Sequence, residues 1–224
     1  MLQKIDKKKH IFFYLIIFLI LSSIHNSNFK YKNFFVIKKI EIVGLDKSKK
    51  LLLEKKFVNL IGHNIFSLKK ESFKFINSLN FVKDYNVHKI YPNRVKVYLE
   101  SAKAISVVKY LNQSAILGNN GKVIDLDNLP TNIPNVIGTK DIQQVFQTLK
   151  LIDKSNLNIE NIKKIEFFPS ERIDIEFKNK KKVRFPINLT IEKLNFSLKI
   201  IDDEEFNRSN ILDLRIPNKV ITYD

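Results

Sequence analysis

Three rhythms of apolar and polar residues follow one another along this chain. Residues 11–24, "IFFYLIIFLILSSI", have no polar face at all. "FFVIKKIEIVG" (34–44) alternates apolar with basic residues up to a glycine, which predicts a strand and a turn. Residues 48–61 set Leu53, Phe57, Leu60 and Ile61 at helical spacing, and Lys69–Leu79 does the same with Phe73, Ile76 and Leu79. "FVKDYNVHKIYPNRVKVYLE" (81–100) returns to period 2 and predicts two strands. "YPN" supplies their turn, because Pro92 fixes φ and Asn93 tolerates the left-handed region. The order is β-α-α-β-β over residues 35–103, a small α+β module with both helices on one face of its sheet.

A second set of elements runs from 104 to 224. "AISVVKYLN" and "SAILGNNGKVIDL" read as strands around turns, with Asn120-Gly121 a type I′ signal. Residues 139–155 carry Ile142, Val145, Phe146, Leu149 and Ile152 on one helical stripe. "IKKIEFF", "RIDIEFK" and "KKVRFPI" predict a three-strand meander, turning at Pro169–Ser170 and around Asn179. Residues 190–203 are helical, with Leu194, Leu198 and Ile201 apolar. "ILDLRIPNKVITYD" then gives two last strands, broken at Pro217–Asn218. The fold class is α+β: an N-terminal apolar helix, the β-α-α-β-β module, and a second mixed domain with a largely antiparallel sheet and two helices. A chain ending on a strand raises the question of what ties that strand down, since termini fray when nothing does.

The apolar run decides the compartment. Ile11, Phe12, Phe13, Leu15, Ile16, Ile17, Phe18, Leu19, Ile20 and Leu21 together contribute about −3 to −6 kcal/mol to bilayer insertion. Residues 11–24 cover only about 21 Å, short of roughly 30 Å of hydrocarbon, so a cleaved signal peptide and a buried core helix stay open as alternatives. "SSIHNSN" offers no A-x-A-like cleavage site, and the run is apolar all round beside a basic start. An uncleaved signal anchor over 11–28 is therefore expected, its flanking lysines snorkelling. Four lysines within residues 1–10 predict a cytoplasmic tail, with everything after the anchor outside the cytoplasm. The intact mass of the mature chain separates anchor from cleaved signal.

Net charge is +16, yet the lysines are scattered along every segment instead of being gathered on one face. A compositional bias explains this better than nucleic-acid binding, which the expected compartment also disfavours. The absence of cysteine excludes disulfides, thiolate metal sites and a cysteine nucleophile. His10, His25, His63 and His88 have no metal-type spacing. "GNNGK" (118–122) lacks the P-loop spacer and the hydroxyl residue after its lysine, so it reads as a hairpin turn. Asp125/Asp127 and Asp202/Asp203 read as a turn and a helix end, and Asn112–Ser114 as an incidental acceptor match. No enzyme, cofactor, metal or small-molecule substrate is expected.

One apolar helix followed by a β-α-α-β-β module resembles the FtsQ/DivIB cell-division family, whose module is called POTRA. The stretches that carry the resemblance are "IKKIEIVGL" (37–45), "GHNIFSL" (62–68), "FVKDYNVHKIYPNRVKVYLE" (81–100), "GKVID" (121–125), "IPNVIG" (133–138) and "LDLRIPNKV" (212–220). They run in the family's order over about residues 35–224. The chain departs from the pattern at "ESAKA", where the family has Arg then Pro after the position of Glu100. It departs again before the "GKV" turn, which lacks the usual Asp, and at "KNKKK", which lacks the hairpin glycine. The resemblance implies a non-enzymatic inner-membrane scaffold of the division machinery, with residues 35–103 as its POTRA domain. It implies that residues 104–224 bind FtsB and FtsL, chiefly through a strand that FtsB adds to the last strand of the sheet. On that basis Lys219, Val220, Ile221, Thr222 and Tyr223 form the pairing edge, and Arg215 meets a partner carboxylate. The alternatives are another POTRA-containing translocation or assembly component, and a secreted enzyme with a cleaved signal.

Overall fold

The computed structural model describes residues 7–24, 34–110, 113–125, 130–139, 141–206, 208–217 and 219–223. Residues 1–6 and 25–28 of the expected tail and anchor, with Asn112, Asp127 and Asn218, lie outside the described residues.

Helix α1 spans Lys7–Ile24, and every described side chain from His10 to Ser23 is exposed. Lysines fill its first three positions, and among the described residues no helix is long and apolar enough to cross a membrane. Two compact units follow from the packing: Met1–Ser72 with Val87–Val97, and Phe73–Asn86 with Tyr98–Asp224. The division falls after Ser72, Asn86 and Val97, so the second unit takes in parts of 73–103 as well as 104–224.

Strands β1 (Lys39–Val43), β2 (Val82–Ile90) and β3 (Arg94–Ser101) form a three-stranded sheet of order β1-β3-β2. Helix α2 (Lys47–Phe57) begins where the Asp46 carboxylate accepts from the Lys49 N–H at 2.9 Å, satisfying one of its orphan donors. It buries Leu53 and Phe57, then tightens to a 3-10 turn at Val58–Leu60. The second predicted helix is a 3-10 helix, Lys70–Ser78, burying Phe73 and Ile76. Bonds such as Ser72 N–H to Lys69 C=O and Leu79 N–H to Ile76 C=O close over three residues, not four. The Tyr91–Pro92 peptide is cis, and Asn93 does not adopt the left-handed conformation that its type allows.

The second sheet has nine strands in the order β12-β11-β10-β9-β8-β7-β4-β5-β6. These are β4 (Ala104–Tyr110), β5 (Gln113–Gly118), β6 (Val123–Ile124), β7 (Asn135–Ile137), β8 (Ile162–Phe168), β9 (Arg172–Phe177), β10 (Lys182–Pro186), β11 (Ile211–Asp213) and β12 (Ile221–Tyr223). Most pairs are antiparallel, but β4–β7, β7–β8 and β10–β11 are parallel. Helices α3 (Ile142–Lys154) and α4 (Ile191–Ile201) supply the two long crossovers that parallel neighbours need. Their buried Val145, Leu149, Ile152, Leu194 and Ile200 join Ile165, Ile175, Val183, Phe185 and Leu212 in one core. Both helices therefore cover the same sheet face. The other face carries Lys164, Glu166, Arg172, Asp174, Glu176, Lys182 and Arg184, the alternate residues of the same strands.

The turn at Asn120 differs from the expectation, and the one after Asn179, where it was expected, is strained. Of Asn120 and Gly121 only the glycine has positive φ, at 75°, whereas a type I′ turn needs both. Asn120 instead spends its side-chain amide on the carbonyls of Asn80 and Val82, at 2.6 and 2.9 Å. In the "KNKKK" hairpin Lys180 sits at φ 72°, where a side chain is strained and glycine is not. Lys180→Gly is expected to raise stability by about 0.5–1 kcal/mol, the left-handed penalty less the entropy that glycine loses on folding. A thermal melt with no gain, or a loss, would refute that strain.

A candidate partner-binding edge

The last strand owes its place to the crossover before it. Val183 and Phe185 fix β10 in the core, and α4 then carries the chain back so that β11 pairs parallel with β10. Leu212 and Leu214 enter the core from β11 and its extension, while Ile216 is nearly half exposed. The chain turns at Ile216–Lys219, with the Lys219 N–H on the Ile216 carbonyl at 3.3 Å. It returns as β12, antiparallel to β11, with Asp213 opposite Ile221 and Ile211 opposite Tyr223. No strand pairs with the far side of β12 among the described residues.

Which groups of β12 face outward follows from the strand beneath it. Lys182 N–H donates to Asn210 C=O and Leu214 N–H to Arg184 C=O, both at 2.9 Å, so Asn210 and Leu214 turn their backbone towards β10. By strict alternation Leu212 does likewise, and Ile211 and Asp213 turn theirs towards β12. The bonded pairs are then Ile211 with Tyr223 and Asp213 with Ile221. Thr222 and Val220 are left with N–H and C=O pointing away from the sheet.

The side chains divide differently. Val220 is half-buried against the core, so it supports the strand from beneath. Ile221, Thr222 and Tyr223 are exposed, as is Lys219. Ile221 and Tyr223 share the polar face with Arg184, whose guanidinium lies 5.1 Å from the Tyr223 ring centre. Beside the turn, a cleft of about 260 Å³ is lined by Glu192, Phe196, Leu214, Ile216, Pro217 and Lys219.

A charged row crosses the sheet beneath this edge, in the register Glu166–Asp174–Arg184–Asp213–Ile221. Asp174 and Asp213 are almost fully buried, at 3% and 2% exposure. Arg215 grips Asp213 with its fork: Nε lies 2.9 Å from Oδ1, and Nη2 lies 2.7 Å from Oδ2. Its backbone N–H adds a third bond to the same carboxylate, at 3.1 Å. Burial alone would raise the Asp213 pKa, but these bonds and the more distant Arg184 overturn that and hold it below the ordinary aspartate value. For Asp174 burial wins over Arg172, Arg184 and Lys182 and pushes the carboxyl up. Arg172 Nε is only 2.8 Å away, yet its N–H is not aimed at the oxygen, so proximity comes without a hydrogen bond.

Arg215 is thus already engaged within its own chain, and a partner carboxylate meets a guanidinium whose fork is taken. The signal for this was in the sequence: residues two apart on a strand share a face, and "DLR" places an acid and an arginine at that spacing. His63 lies in the connection between the two 3-10 helices and His88 in β2, and no cluster of three or more His, Cys, Asp or Glu able to hold a metal occurs among the described residues.

The model of the cell division protein FtsQ/DivIB C-terminal domain matches residues 106–215, ending before β12. Among solved structures, the major extracytoplasmic domain of the trans isomer of the bacterial cell division protein DivIB from Geobacillus stearothermophilus aligns with 16% identity and a TM-score of 0.34. That alignment covers 44% of this chain and 86% of that one. No curated protein matches. Residues 106–215, which form most of the nine-stranded sheet and both of its helices, thus make up a domain of the FtsQ/DivIB C-terminal type found in cell division proteins.

Proposed function

We propose that this chain is a non-enzymatic, single-pass scaffold of the division machinery that captures an FtsB- or FtsL-type partner by strand addition along β12. The observation that carries the reading is the terminal place of β12, with the backbone of Val220 and Thr222 turned outward. An open strand edge is a template for another chain, and natural proteins usually blunt such edges. Here no proline or bulge does so within Ile221–Tyr223. Backbone bonds would supply affinity, and the exposed Ile221, Tyr223 and neighbouring cleft would supply side-chain specificity. In this reading residues 35–103 serve as a POTRA domain and α1 as the anchor. From His10 to Ile24 the helix reaches about 22 Å, which a bilayer accommodates by thinning and by snorkelling of the basic ends. Residues 1–10 would then be cytoplasmic and the bulk of the chain periplasmic.

The geometry selects the test. Thr222→Pro removes an amide that faces outward and leaves the β11 ladder whole, which an edge strand tolerates. Full-length chain in detergent, titrated with the extracytoplasmic segment of the same organism's FtsB-type protein, should bind at saturation. Thr222→Pro should weaken that binding about 10- to 100-fold, the equivalent of one or two lost backbone bonds, with an unchanged circular dichroism spectrum. Wild-type affinity in Thr222→Pro would exclude strand addition here. Ile221→Pro is a poorer probe, because it breaks a bond to β11 and frees the strand itself.

A further inference from the structure

Far along the chain from β12, the first unit carries a row of four aromatic rings. Phe34 meets Phe35 edge-on at 5.1 Å, Phe35 meets Phe66 at 4.9 Å, and Phe66 stacks on Tyr91 at 5.2 Å with 27° between the planes. Phe34, Phe66 and Tyr91 are 59%, 57% and 54% exposed, which is unusual for rings that have one another to pack against. Together they show on the order of 300 Å² of apolar surface, about the size of the largest patch on an ordinary monomer. The row is held firmly from below. Ile37 and Ile65 are fully buried, Ile65 N–H donates to Phe35 C=O at 2.8 Å, and Phe66 N–H donates to the Asn64 carboxamide at 2.9 Å. The backbone around it is tied together as well, Ile37 N–H bonding the carbonyl of the exposed His63 and the N–H of the exposed Lys38 bonding the Asn93 carbonyl, just past Tyr91.

We infer that this aromatic row is a docking surface for the bilayer headgroup region. The inference rests on the reading of α1 as a membrane anchor. Between Ile24, where α1 ends, and Phe34 lie residues 25–33, a tether that reaches about 30 Å at full extension. Anchored so closely, the row is confined near the lipid surface at high effective concentration. Its chemistry suits that place: Tyr91 has the amphipathic ring that concentrates at the headgroup level, and the phenylalanines supply apolar surface for the boundary beneath it. Lys38 beside the rings complements anionic heads, and its attraction acts within a Debye length. Docking would fix the height and tilt of the first unit over the membrane, as a second attachment beside the anchor.

The chain has no tryptophan, so Phe66→Trp gives a single emission from the middle of the row. The full-length F66W chain is reconstituted into vesicles of phosphatidylethanolamine and phosphatidylglycerol, and the vesicles are floated. Flotation, a blue-shifted emission and strong quenching by lipids brominated near the headgroup are the expected result. Adding Phe34→Ser and Tyr91→Ser to F66W should abolish most of the quenching without affecting flotation. A chain that floats with unshifted, unquenched emission overturns the docking and leaves the anchor standing. Blue-shifted emission that lipid bromine does not quench places a protein on the row, not lipid, and also overturns it. Quenching that survives the two serines shows that the row is not what docks. A chain that does not float overturns the anchor and the docking together.

Discussion

Gly138→Ala is expected to destabilise the second unit by about 4 kcal/mol or more, among the largest effects of any single substitution in this chain. Gly138 follows β7 directly and has φ 88°. A Cβ there would lie 2.0 Å from the Phe167 carbonyl oxygen, with the Phe167 carbonyl carbon and nitrogen at 3.0 and 3.2 Å. All three are backbone atoms of β8, so no side-chain rotation gives relief. The left-handed conformation adds about 1–2 kcal/mol for any residue with a side chain. Relief must come from moving β7 off β8, and among the described residues it is β7 that joins β4-β5-β6 to the other five strands. Gly62→Ala is the contrast, with φ 90° but nothing within 4 Å of the added carbon. It should cost only the conformational part, about 1 kcal/mol. Urea midpoints by circular dichroism compare the two, and equal losses would mean that the close approach at Phe167 is not what demands glycine.

That glycine also marks where the sequence stopped being legible. The amphipathic stripes of α3 and α4 and the alternation of β8, β9 and β10 were readable, because each buries several residues at a fixed period. β7 was not. It has three residues, of which Val136 is buried, and its position between β4 and β8 comes from parallel partners far away in sequence. Local pattern carries no information about such neighbours. The same limit applied at the candidate edge. Period 2 shows which side chains share a face, but which amides of β12 are spent depends on how β11 sits on β10. Thr222, not Ile221, emerges as the outward amide only from that register. Conversely the Asp213–Arg215 pairing was available from spacing alone, and a search for partner-binding arginines should first exhaust acids two residues away on the same strand.

That pairing underlies the second large effect. Asp213→Ala is expected to cost about 2–4 kcal/mol at neutral pH, since it removes a buried carboxylate that takes three short bonds from Arg215. Arg184, 4.0 Å from the same carboxylate, would also lose one of its two acidic neighbours. The loss should loosen β12, because Asp213 is the residue whose backbone pairs with Ile221. Asp174, two strands over in the same row and as deeply buried, should behave otherwise. Its ionised form is already disfavoured by burial, so Asp174→Asn should change stability by less than about 1 kcal/mol, or raise it. The two carboxyls also oppose each other in pH. Asp213 has a depressed value in the fold, so its contribution is complete above the ordinary aspartate value near pH 4 and is lost as the pH falls through the lower folded value. Asp174 has a raised value, so its ionisation weighs against the fold once the pH climbs through it. The stability gap between wild type and Asp213→Ala should therefore narrow as the pH falls below the ordinary aspartate value near pH 4, while the gap to Asp174→Asn shrinks from the opposite sign. Urea unfolding at neutral and acid pH measures both gaps. An Asp213→Ala deficit that stays constant throughout the acid range would trace its cost to lost packing and not to the ion pair.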